Sequence, residues 1–185
     1  AKNNMREVGE LLLAKNADIF STNKSNFSPL RYALKTSAVQ DWLITSKTIK
    51  ATDGSGNTVL HYAAEWKIAK AINSLLVKGA DINARNANGE TPLFNSAKSN
   101  SPNIIQTIVD GGGEIQARDN LGSTAIHAAV RWDAVTSIDK LVSLGINVNA
   151  QNTSGKSPLA EAAAAGKFDI AKRLLELGAD PNSCD

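Results

Sequence analysis

Apolar residues recur along this chain in pairs of short blocks with a helical period. In the block that begins at Thr58, Leu60, Ala63 and Ala64 fall on one side of about two turns of helix. Ile72, Leu75 and Leu76 follow at i, i+3 and i+4. The spacing predicts two short helices joined by a turn. Small alanines on the first allow a close approach to a neighbouring helix. Gly79 then ends the second helix in the left-handed conformation that glycine adopts without strain. Next comes an extended polar stretch, Ala80-Asp81-Ile82-Asn83-Ala84, and Asn86-Ala87-Asn88-Gly89, whose residues suit a tight turn.

The block repeats. Thr58-Val59-Leu60-His61, Thr91-Pro92-Leu93-Phe94, Thr124-Ala125-Ile126-His127 and Ser157-Pro158-Leu159-Ala160 start 33 residues apart, and Ser28-Pro29-Leu30-Arg31 lies 30 residues before the first. Gly79, Gly112, Gly145 and Gly178 keep the same period, as do Gly56, Gly89, Gly122 and Gly155. Each Thr or Ser is expected to cap a helix by accepting a bond from a free N–H of the first turn. A proline beside it stands at N1, where its missing N–H costs nothing.

A unit of this length resembles the ankyrin repeat, carrying Thr-Pro-Leu-His and then Leu-Leu-x-x-Gly-Ala-Asp-x-Asn-Ala. The nearest matches are Leu75 to Ala84 and Leu174 to Asn182, and the resemblance covers essentially the whole chain. It implies an all-α solenoid of helix-turn-helix units with short β-hairpin loops. We divide the single domain, 1–185, into a half repeat at 1–20 and repeats at 21–50, 51–83, 84–116, 117–149 and 150–182.

Departures from the pattern carry expectations of their own. Repeat 21–50 is three residues short near Thr36 to Val39, and Ser46 stands where the others have glycine. Its second helix should end less cleanly, and the first 50 residues should be the least regular part. Asn26 and Asn16 replace glycines, and asparagine tolerates the left-handed region better than most residues. Gly111-Gly112-Gly113 is expected to add slack after a helix. The N-terminal piece, with Met5, Val8, Leu12 and Leu13, reads as a second helix without its partner, and the last repeat is alanine-rich rather than polar. Terminal repeats normally need a polar outer face. A longer parent chain, a covered end and a tolerated apolar cap all remain open.

Composition narrows the function. The chain is 42% hydrophobic and 21% charged, which suits a globular protein. No apolar run approaches the ~20 residues of a membrane-spanning helix. No leader is visible, though one removed before Ala1 stays open, and the compartment is undetermined with the cytoplasm weakly favoured. The lone Cys184 excludes internal disulfides and cysteine-based metal sites. With 20 basic and 18 acidic residues the net charge is +2, too balanced to argue for nucleic acid or membrane. Lys98, Arg131, Trp66 and Trp132 meet the basic-and-aromatic pattern of a nucleic-acid groove only loosely, and Glu65 and Glu90 intrude.

Chemistry is sparse. His61 and His127 sit two repeats apart, ~20 Å at ~10 Å per helix layer, so they cannot share a metal. An imidazole bonded to nearby backbone is the reading that fits. Gly54-Ser55-Gly56 has no P-loop Lys-Ser/Thr after it, and Gly111 to Gly113 lacks a nucleotide-binding context. Carboxylates lie beside cations, as in Lys50/Asp53, Arg118/Asp119, Asp139/Lys140 and Asp169/Lys172/Arg173, which reads as a solvated face. No catalytic residue, cofactor or metal is expected.

The resemblance implies recognition of a partner protein on a concave face, through hairpin tips and the ends of first helices. The tip candidates are Phe27, Asn57, Glu90 and Leu121, and the helix-end candidates are Glu65, Trp66, Lys98, Ser99, Arg131 and Trp132. The two tryptophans share a position that Thr36, Ser99 and Ala165 hold elsewhere. A position that accepts Ser, Thr or Ala should be exposed, and exposed Trp and Arg are enriched at binding hot spots. Packing of each indole on the next repeat is the competing reading. Trp42, in phase with Leu75, should be core. The other function left open is a regulatory or targeting segment of a larger enzyme, channel or secreted effector. Partner identity and oligomeric state are not readable.

Overall fold

A computed structural model describes residues 46–183 continuously, together with 11, 14, 15, 17–21, 28–30 and 34. Phe27, Trp42, Asn16, Asn26, Met5, Thr36 and Cys184 lie outside the described residues. After a single turn, α1 (Ser46–Ile49), the chain forms four helix pairs. The first helices are α2 (Val59–Glu65), α4 (Pro92–Lys98), α6 (Ala125–Arg131) and α8 (Pro158–Ala164). The second helices are α3 (Ala69–Val77), α5 (Pro102–Asp110), α7 (Val135–Ser143) and α9 (Phe168–Glu176). The turn α1 begins at Ser46, where the other repeats have their terminating glycine; the second helix expected to end there lies outside the described residues.

First helices stack α2 on α4 on α6 on α8, and second helices stack α3 on α5 on α7 on α9. The first-helix row packs more closely. Its facing residues are small: Ala63, Ala64, Ala97, Ala125, Ala129 and Ala162 are all fully buried. Larger side chains, Ile72, Leu75, Ile105, Ile108, Ile138 and Leu141, fill the space between the rows. Each fully buried Leu or Ile contributes roughly 1.5–3 kcal/mol. Because every helix is short, the stacking rather than the helix itself supplies the stability.

Between pairs the chain makes a hairpin reduced to backbone bonds. Asp53 N–H donates to the Asn57 carbonyl at 3.1 Å, and Asp119 N–H to that of Ser123 at 2.8 Å. Isolated antiparallel bridges join Thr52 to Thr58 and Arg118 to Thr124. The hairpins are also linked to one another. The N–H groups of Ala87, Asn120 and Thr153 donate to the carbonyls of Ser55, Asn88 and Leu121, each at 2.9 Å.

Gly79, Gly112, Gly145 and Gly178 have φ between 87° and 92°, the left-handed region their spacing predicted. A fourth ladder escaped the sequence reading because its residues differ. Lys67, Asn100, Asp133 and Gly166, 33 apart, all have positive φ between the two helices of a pair. The expectation that Gly111 and Gly113 add slack is corrected. A Cβ at Gly111 would stand 2.6 Å from Leu76 Cδ1, and one at Gly113 would stand 2.8 Å from the Ile108 carbonyl oxygen. They are close-packed positions.

Candidate functional site

The capping threonines differ from repeat to repeat. Thr58 N–H donates to His61 Nδ1 at 3.1 Å, and Thr124 N–H to His127 Nδ1 at 3.1 Å, the reciprocal arm of a capping box. Nδ1 therefore carries no proton, and Nε2–H donates across to the next repeat. His61 reaches the Glu90 carbonyl at 3.0 Å and His127 the Lys156 carbonyl at 3.1 Å. Both imidazoles are fully buried. Burial pushes each below the ordinary histidine value, more strongly than the carbonyl bond raises it. Ser157 caps by accepting from Ala160 N–H at 3.1 Å. Thr91 departs from expectation. Phe94 replaces the histidine, and the buried Thr91 hydroxyl has no partner.

The first-helix ends and the hairpins form one face. Trp132, at the end of α6, is 63% exposed. Its indole lines a cleft of about 290 Å³ with Glu65, Asn95, Lys98 and Ser99. The cleft exists because Ser99, in phase between the two tryptophans, is small. Trp66 is placed differently. It is half-buried and stacks on Tyr62, with ring centroids 4.8 Å apart, and Tyr62 in turn meets Phe20 at 5.7 Å. The Tyr62 hydroxyl donates to Asp53 Oδ2 at 2.6 Å. Burial alone would raise the Asp53 carboxyl, but the bonds from Tyr62 and Asn57 outweigh it and hold it below the usual range. Burial and Asp53 push the phenol of Tyr62 well up.

Other candidates are partly engaged within the fold. Glu90 is buried rather than exposed at a tip, because its carboxylate turns inward to Lys98 Nζ at 2.5 Å and Asn86 Nδ2 at 3.3 Å. Arg131 spans Glu161 at 3.2 Å and Asp119 at 3.7 Å. Asn57 is bonded to Asp53 and to Asn86. Ser99 is half-buried and donates to the Ser96 carbonyl at 3.0 Å. Leu121 is 65% exposed at its hairpin tip, and Glu65 is exposed.

Some ion pairs join repeats, which corrects the local pairing expected for Asp139. Its partner is Arg173, at 2.7 Å across 34 residues, and that bond raises the guanidinium further. Lys167 likewise meets Asp133 at 2.9 Å. Elsewhere Val77, Phe168 and Leu175 on the second helices are exposed. Among the described residues no group of acidic, His or Cys side chains has metal-binding geometry, and no helix is long and apolar enough to cross a membrane.

Stacked helix pairs with linked hairpins define a helical repeat solenoid. Family models agree on which kind. The model for ankyrin repeats in three copies matches residues 1–86 and 67–152, and that for a single ankyrin repeat matches 154–185. The chain belongs to the ankyrin repeat family. Ankyrin repeats are generally protein–protein interaction modules. A search of curated proteins finds no match to the chain.

Proposed function

We propose that the chain is a non-catalytic module that binds a partner protein on the concave face formed by its first helices and hairpins, with Trp132 as the central contact. The observation that carries this reading is the exposed indole beside an open cleft on this face. Large exposed aromatics beside a pocket are where binding energy concentrates. The histidines, the residues best suited to acid–base chemistry, are buried and spent on backbone bonds. The repeat divisions at 21–50, 51–83, 84–116, 117–149 and 150–182 belong to the same proposal.

The test is partner capture from source extract with wild type, Trp132→Ala and Val77→Ala. Val77 lies on a second helix and is 88% exposed, so both substitutions should change stability by less than about 0.5 kcal/mol. Loss of a captured protein with Trp132→Ala and its retention with Val77→Ala is expected. The reverse pattern would move the binding surface to the second-helix side.

A further inference from the structure

We propose that the cleft between Glu65 and Trp132 receives an arginine side chain of the partner, so that the module recognises a basic extended segment. The inference rests on the concave-face reading above and adds the chemistry of its occupant. Three unmet requirements converge in one cleft. Glu65 is an exposed carboxylate with no ion pair among the described residues. Asn95 Oδ1 is buried and accepts no hydrogen bond. Trp132 offers an aromatic surface to solvent.

Each requirement selects a ligand. A lone carboxylate at the mouth selects a cation. An orphaned acceptor is costly until an N–H or O–H reaches it. An indole face attracts a planar cation, and tryptophan does so best. A guanidinium meets all three, since it is charged, flat and carries five N–H donors. The volume agrees. At about 290 Å³ the cleft is at the small end of ligand sites and holds one side chain rather than a folded ligand.

The surrounding charges favour the same occupant. Lys98 also lines the cleft, but Glu90 neutralises it. Arg131 is shared by Asp119 and Glu161, two acids for one base. Asp53, with its lowered pKa, stays ionised at neutral pH. Arg85, Arg118 and Lys156 balance the acids over the wider face, but within the cleft, with Lys98 taken up by Glu90, Glu65 is the charge left without an ion pair among the described residues.

The test uses the intact chain and fluorescein-labelled octapeptide pools, read by fluorescence polarisation. The central residue is Arg, citrulline or Glu, and the other positions are randomised over Gly, Ser and Ala. The Arg pool should bind about tenfold more tightly than the citrulline pool, the scale of one charge-assisted contact. Glu65→Gln should abolish that preference, and Trp132→Ala should weaken the Arg pool by about fivefold or more. Circular dichroism checks that both variants remain folded. Equal binding of Arg and citrulline pools, a preference untouched by Glu65→Gln, or no binding by any pool overturns the arginine assignment. Binding of the Glu pool that is lost with Trp132→Ala would overturn it while leaving the concave-face reading intact. Arg-pool binding that survives both substitutions would overturn the two together.

Discussion

Single atoms decide several outcomes in this chain. Thr58, Thr91 and Thr124 occupy one position, yet only Thr91 has a buried hydroxyl without a partner. Replacing Thr by Val removes a hydroxyl and keeps the shape. Where the hydroxyl is bonded, at Thr124, the change should cost about 1 kcal/mol. At Thr91 it removes an unsatisfied group, so stability should hold or rise. Urea unfolding of Thr124→Val beside Thr91→Val checks the contrast. The sequence showed both threonines as caps, and it showed Phe94 in place of histidine. It did not show that the phenyl ring strips the threonine of its partner. The tryptophans give the same lesson. One position in the repeat holds both, but Tyr62 lies beside Trp66 and fixes it in an aromatic stack, whereas Ser99 leaves Trp132 open. A neighbour four residues back on the same helix in one case, and a small residue from another repeat in the other, made the difference.

At the scale of elements, the histidines act as staples between one helix pair and the next hairpin. Their burial sets a pH dependence. Both imidazoles titrate below the ordinary value of 6.5 in the folded chain, and near it when unfolded. As pH drops below about 6.5, the unfolded chain takes up protons that the folded chain refuses. Stability from this source is therefore complete at neutral pH and declines as the pH falls below about 6.5. The urea midpoint of wild type should fall over that range. In a His61→Phe/His127→Phe chain, which copies the residue already present at Phe94, the fall should be shallower. The helices themselves were legible, because caps, prolines and terminating glycines are local signals. The Lys67, Asn100, Asp133 and Gly166 ladder was not, because positive φ there is imposed by the packing of two helices rather than by residue type. Close packing at Gly111 and Gly113 was hidden for the same reason. The atoms that fill those places include Leu76 and Ile82, from the preceding repeat.

For the whole molecule, period was the most informative quantity in the sequence, and it carried the architecture. It carried less about recognition, because the cleft draws its walls from three successive repeats and its chemistry from how Lys98 and Arg131 are consumed by acids. The linked hairpins have a further consequence. Each bond from Ala87 to Ser55, Asn120 to Asn88 and Thr153 to Leu121 uses only main-chain atoms and recurs once per repeat. Main-chain atoms are indifferent to which repeat supplies them. Excising residues 84–116 would present Asn120 N–H to the Ser55 carbonyl, and His61 to that of Ser123, with every register intact. The shortened chain should fold to a helical circular dichroism spectrum and unfold at lower urea. It should also lose the arginine cleft, since Asn95, Lys98 and Ser99 leave together. Length in this protein is thus quantised. Whole units can be added or withdrawn by recombination without redrawing the contacts of those that stay, so reach and specificity can evolve as separate traits.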